Sequence, residues 1–201
     1  MGFSLTKLVR VLGIDPGSRK AGWGLVDVDV QHNKLLHVDN GVIMLDANAE
    51  LHVRLVALSR KLHEVVETYR PTVAAVEDVF VNKGARSALV LGQARGAVLA
   101  TLGLCGLHVD SHTNNEVKRQ VTGKGRATKE QVNDMVRVLL SLKHAPFEDA
   151  ADALAVALCQ GMVQLQPTAL QGAMAELPKK KAPKGKARDS LKALARAQGK
   201  I

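Results

Sequence analysis

Near position 50 the spacing of apolar residues changes, and that change limits what the chain can become. Before it they come in short runs closed by turn residues. The run 8–14 stops at Asp15-Pro16-Gly17-Ser18, and runs over 21–29 and 35–45 follow across the polar connections Ser18-Arg19-Lys20 and Gln31-His32-Asn33. Such runs read as strands, and connections this short favour an antiparallel meander. After it, Leu51, Leu55, Leu58, Leu62, Val65, Val66 and Tyr69 recur at threes and fours, one face of a helix that Pro71 closes. A chain holding both periods must build a sheet and cover it with helices.

The same reading predicts a buried strand over 72–76 ending in Glu77, a polar loop through Arg86, a helix rich in small residues over 87–104 and a short strand over 107–110. Thr113-Asn114-Asn115-Glu116 has the form of a capping box, in which the threonine caps the amide three residues on and the glutamate reaches back. Gly123-Lys124-Gly125-Arg126-Ala127 interrupts the helix begun there. Thr128-Lys129-Glu130-Gln131 opens another, with Val132, Val136, Leu139 and Leu140 facing inward, and Pro146 precedes a last helix over 147–162. The order βββαβαβ followed by helices implies an α/β fold, a mixed sheet flanked by helices.

With 201 residues the chain suits one domain, and 46% hydrophobic against 23% charged residues excludes a wholly disordered chain. Cys105 and Cys159 lack CxxC spacing, so neither a disulfide framework nor a thiolate zinc site is expected, and a cytoplasmic protein is. The longest uncharged stretch of the apolar middle, 96–109, falls short of the roughly 20 residues a spanning helix needs, so no membrane segment is expected. Met1-Gly2-Phe3-Ser4-Leu5-Thr6 formally matches a myristoylation pattern but lacks the long apolar core of a secretory signal. The net charge is +9, yet 176–201 holds nine Lys or Arg and two acids, leaving 19 bases and 17 acids in 1–175. The expected organisation is an extension over 1–8, a folded domain over 9–166 and a basic tail over 167–201, a solvated segment or a nonspecific anion binder.

Asp15 and Glu77 each end an apolar run, where a carboxylate is costly unless it is paired, hydrogen-bonded or bound to a cation. Asp149 and Asp152, in Glu148-Asp149-Ala150-Ala151-Asp152-Ala153, are three apart and share one helix face, and the alanines around them allow close approach to a sheet. Four hard oxygen donors without a His or Cys set favour Mg²⁺ or Mn²⁺ over zinc. Two such ions about 3.5–4 Å apart suit phosphodiester hydrolysis. Taken singly each acid also has a structural reading: Asp15 in a turn, Asp149 in a first helical turn, Asp152 in solvent. Lys83, Arg86, Lys118, Arg119, Lys124, Arg126 and Lys129 fall in two regions expected to flank the acids, a basic rim suited to a phosphate backbone or simply a solvated surface.

Gly13-Ile14-Asp15-Pro16-Gly17-Ser18, Ala21-Gly22-Trp23-Gly24, Val76-Glu77-Asp78-Val79-Phe80, Leu91-Gly92-Gln93-Ala94-Arg95-Gly96, Val117-Lys118 and Asp149-Ala150-Ala151-Asp152-Ala153-Leu154-Ala155 together resemble the RuvC family of Holliday-junction resolvases. The resemblance runs in order from Val9 to Met162. It implies an RNase H-like mixed five-stranded sheet whose first three strands are antiparallel. It implies a metal-binding, catalytic set of Asp15, Glu77, Asp149 and Asp152 holding two Mg²⁺ ions, or Mn²⁺, with Asp15 between them. Symmetric nicking of four-way junction DNA to 5′-phosphate and 3′-hydroxyl ends follows from it. Lys118 and Lys129 then lie near the cleaved strand, Lys129 neutralising charge on the phosphate, and Phe80 stacks on a base unless it packs in the core. The resemblance also implies a homodimer through the helix over 87–104, and work beside the branch-migration proteins RuvA and RuvB. Two other readings stay open: a noncatalytic DNA-binding protein of this fold, and an actin-like ATP phosphotransferase, whose phosphate loop Gly13-Ile14-Asp15-Pro16-Gly17-Ser18 also resembles.

Overall fold

Three consecutive strands, β1 (Leu8–Asp15), β2 (Lys20–Asp29) and β3 (Lys34–Met44), pair antiparallel as expected, with a bulge between Leu25 and Val26. The structure, a computed structural model, describes residues 8–78 and 84–166. Helix α1 (Leu51–Tyr69) stops two residues before Pro71, and between them Arg70 turns left-handed (φ 48°) and donates its N–H to the Val66 carbonyl at 2.8 Å. β4 (Val73–Asp78) lies parallel to β1, and β5 (His108–Thr113) lies parallel to β4. The result is one mixed five-stranded sheet of order β3-β2-β1-β4-β5. α2 (Ala85–Leu104) joins β4 to β5, and α3 (Asn114–Thr122), α4 (Lys129–Leu139) and α5 (Glu148–Gln164) follow.

Alternation along the strands sorts the core into two layers. Val11, Val26, Val28, Val73 and Ala75 face α3, α4 and α5, meeting Val117, Val136, Leu154 and Leu158. Leu12, Ile14, Leu25, Ala74 and Val76 face α1 and α2, meeting Leu58, Leu62, Ala94, Val98 and Leu102. The alanines of α5 and the glycines of β1 and β2 set how near the first layer lies. A Cβ on Gly13 would stand 2.9 Å from the Ala157 Cα, and one on Gly24 would stand 2.8 Å from the Leu154 side chain. Backbone contact of this kind leaves α5 one seating on the sheet. Its fully buried Gln160 bridges to β5, donating to Asp110 Oδ2 and accepting from His112 Nε2, each at 2.6 Å.

Both capping boxes are formed, Thr113 with Glu116 and Thr128 with Gln131. Elsewhere the boundaries move. Leu8, read as the end of an extension, begins β1. β5 runs on to Thr113, because pairing with β4 through Glu77↔His112 and Asp78↔Thr113 extends a strand that has no apolar pattern there. Arg86 lies in the first turn of α2 rather than in a loop, and Lys118 and Arg119 lie on α3. Among the described residues α2 is the one helix long and apolar enough to cross a membrane by length and composition. Its Ala94, Val98 and Leu102 are packed on the sheet, and its Arg95 donates to Ser111 Oγ at 2.8 Å.

Candidate active site

The parallel register of β1 and β4 reaches Ile14↔Val76, so one further step sets Asp15 beside Glu77. Period-two alternation from Gly13 and Ala75 points both carboxyls to the α5 side of the sheet. On the other side of Asp15 its antiparallel partner is Gly22, which faces the carbonyl of Asp149. The first turns of α5 thereby bring Asp149 and Asp152 over the ends of β1 and β4. Burial, then the charges of Glu77, Asp152 and Asp149, push the half-buried Asp15 up to about 8, and it shares a hydrogen bond with Glu77. Four acids drawn from three distant segments thus act on one another.

Lysines hold two of these acids. Lys20 Nζ lies 2.6 Å from Asp149 Oδ2, and Lys129 Nζ lies 2.7 Å from Asp152 Oδ2 and 2.6 Å from Glu148 Oε1. Burial raises Asp152 above the usual carboxylate range, and Lys129 pulls it back. Burial likewise opposes the charge on Lys129, but its two carboxylate partners outweigh it and raise the ammonium well above its ordinary value. No three acid, imidazole or thiol groups among the described residues stand arranged to hold an ion. The donor chemistry nevertheless fits a hard divalent cation, because a desolvated carboxyl facing three more needs positive charge in order to ionise.

A cavity of about 110 Å³ is lined by Glu77, Asn114, Lys118, Lys129 and Asp152. Among the predicted DNA contacts, then, the structure brings Lys118 and Lys129 to the acids. Lys124 and Arg126 are exposed in the α3–α4 connection, and Arg119 is exposed on α3. Arg86 lines a separate cavity with Arg19 and Arg54. Phe80 and Lys83 lie outside the described residues.

Three supporting residues escaped the sequence reading. Asn114 donates from Nδ2 to Glu77 Oε1 at 2.7 Å, and Arg95 donates to the Glu77 carbonyl at 3.2 Å and pairs with Asp78 at 3.2 Å. The third is Lys20. Asn114 sits inside a recognisable capping box, a signal that a polar group is mounted at a helix start. For Arg95 and Lys20 only the fold brings the partners near.

The strand order and the helices on both faces define an RNase H-like domain with an acidic centre. The family described as Crossover junction endodeoxyribonuclease RuvC matches residues 11–160. The RuvC of Geotalea uraniireducens is 47% identical over 151 residues, covering 75% of this chain and 87% of that protein. That of Citrifermentans bemidjiense is 50% identical over 149 residues, 74% of this chain and 90% of that one. Thermus thermophilus RuvC in complex with Holliday junction substrate superposes with a TM-score of 0.72 at 33% identity, covering 78% of this chain and 95% of that chain. The chain belongs to the RuvC family of crossover junction endodeoxyribonucleases.

Proposed function

We propose that this protein resolves Holliday junctions by metal-dependent nicking of two opposed strands, leaving 5′-phosphate and 3′-hydroxyl ends, in recombination and repair. The observation that carries the reading is the mutual approach of Asp15, Glu77, Asp149 and Asp152 at one end of the sheet, with Lys118 and Lys129 beside them. Asp15, Glu77, Asp149 and Asp152 would hold two Mg²⁺ ions, with Mn²⁺ as a substitute. Bound there, the metal would supply activation of a water and charge stabilisation for the departing oxygen.

The chain's own residues do the rest. Asn114 fixes the Glu77 carboxylate, and the backbone contact at Gly22 fixes the height of Asp149. Lys118 places the phosphate. Lys129, held at the site by Glu148 and Asp152, meets charge building on it. Lys83, Arg86, Arg119, Lys124 and Arg126 hold the DNA backbone further out, and Phe80 stacks on a base of the opened junction. Two equivalent cuts call for a two-fold dimer. α2 supports one: opposite its packed face Leu89 is 64% and Leu104 is 90% exposed. RuvA and RuvB are the partners, the cytoplasm the compartment, and 167–201 a basic appendage to the domain over 9–166.

A synthetic four-way junction with Mg²⁺ tests the reading. The parent protein should give paired nicks at opposed positions, while Asp15→Asn and Asp152→Asn should bind without cutting. Cutting by both variants at the parent's rate would remove the acids from the mechanism.

A further inference from the structure

Beside the acidic centre, on the same face of the sheet, lies a larger cleft of about 870 Å³ between β3 and the α4–α5 connection. The strand register places it. Val42 on its wall is paired to Gly22, and Gly22 to Asp15, so two strand spacings, about 10 Å, separate the wall from the catalytic row. Asp149 and Lys20 line it as well, joined by their ion pair, which makes the cleft continuous with the site.

Its lining is unusual for exposed surface. Phe147 is 81% exposed and Met44 is 63% exposed. Phe147 is held at its backbone, since its carbonyl accepts the Ala151 N–H at 2.8 Å as α5 begins, so the ring is mounted on a rigid element. On the β3 side His37 Nε2 and Asn40 Nδ2 are 2.8 Å apart, a polar pair able to meet a base edge without charge. Burial, against the charge of Asp39, holds the His37 imidazole below its usual range. Lys20 and Lys143 stand on the rim, and the lone lining carboxylate, Asp149, is engaged by Lys20. An aromatic face, uncharged hydrogen-bonding groups and a cationic rim together suit a nucleotide: π-face, base edge and phosphate.

We propose that this cleft takes an unstacked nucleobase of the DNA strand that runs through the active site, stacked on Phe147, and so helps choose where the strand is cut. The inference rests on the nuclease reading. None of its residues belongs to the four acids except through the shared wall at Asp149.

The test walks a single abasic residue through the strand around the cut and measures binding of each four-way junction in EDTA, by the parent and by Phe147→Ala. Phe147 is exposed, so the variant should keep the parent's melting temperature. It should bind the intact junction about tenfold more weakly, and Phe147→Trp should restore affinity. At one abasic position the parent should suffer the same tenfold loss while Phe147→Ala loses nothing more. Absence of coupling at every position overturns the proposal. So does parent-like binding by Phe147→Leu, which would make the ring mere apolar cover, or a change in self-association with junction binding intact, which would give the cleft to another polypeptide. A parent that neither binds nor cuts junctions sinks the nuclease reading as well. A parent that cuts, with Phe147 uncoupled, sinks this inference alone.

Discussion

Gly22 of β2 and Asp149 of α5 meet backbone to backbone: a Cβ at Gly22 would overlap the Asp149 carbonyl oxygen. One methyl group at this point must therefore lift the start of α5 or bend β2. Gly22→Ala should destabilise the fold by about 1–3 kcal/mol in urea titrations, the ordinary cost of overpacking. It should also lower junction cleavage by more than the unfolded fraction explains, because Asp149 moves with the helix. Parent-like cleavage by the folded variant would show that the seating of α5 does not set the site.

Asp15 works against the stability of the protein. Its folded-state value, about 8, lies above the ordinary 3.8, so the folded form binds the proton more tightly than the unfolded chain does. The stability this gives is complete below about pH 4 and is lost as pH rises through 8. Asp15→Asn should match the parent near pH 4 and exceed it by at least ~1 kcal/mol at pH 8.5. Mg²⁺ at that pH should raise the parent's melting temperature more than the variant's, since a ligand of the folded state alone stabilises by mass action. Equal pH profiles would contradict the burial of Asp15.

How far this site could be read in advance depends on whether its determinants are local. Asp15 and Glu77 stand out because an apolar run ends in each, and Asp149 with Asp152 because helical spacing puts both on one face. The boxes at Thr113 and Thr128 are local chemistry and form as read. Ser111, His112 and Thr113 carry no apolar alternation, and what makes them a strand is pairing with β4 and the reach of Gln160 from α5. Arg86 is near Lys83 in sequence, yet it lines a cavity with Arg19 and Arg54, which only the fold brings to the start of α2. Lys20 and Arg95 acquire their partners only through the sheet.

Lys129 spans Glu148 and Asp152. Without it the burial that raises Asp152 goes unopposed, so its carboxyl should climb further. Lys129→Ala should therefore move the acid limb of the pH–cleavage profile to higher pH. It should also cut the plateau rate about 10²-fold, the usual scale for losing one preorganised charge-stabilising group. Lys129→Arg should recover the limb more fully than the plateau, because the ion pair tolerates the wider head better than a phosphate contact does. A lowered plateau with an unmoved limb would separate Lys129 from Asp152.

The nine Lys or Arg of 176–201 predict a sequence-independent contribution to DNA affinity. Truncation after Leu170 should weaken junction binding at low salt and flatten the dependence of log K on log salt, with cleavage of saturated junction unchanged. The same salt slope in both proteins would remove the tail from binding.

Gln160 ties the far strand to the helix that carries two of the acids. Its amide is fully buried and spends one group on Asp110 and the other on His112, the β5 residue registered with Glu77. Gln160→Leu fits the volume but strands both partners, at a cost of about 1–3 kcal/mol. Gln160→Glu keeps an acceptor for His112 and sets a second carboxylate against Asp110, so its deficit should be small in acid and grow as pH rises through the carboxylate range. Because His112 and Glu77 pair across neighbouring strands, both substitutions should also slow cleavage. Chemical denaturation followed across pH separates the two variants. A glutamate variant whose deficit does not grow with pH would mean that Asp110 is not held against residue 160.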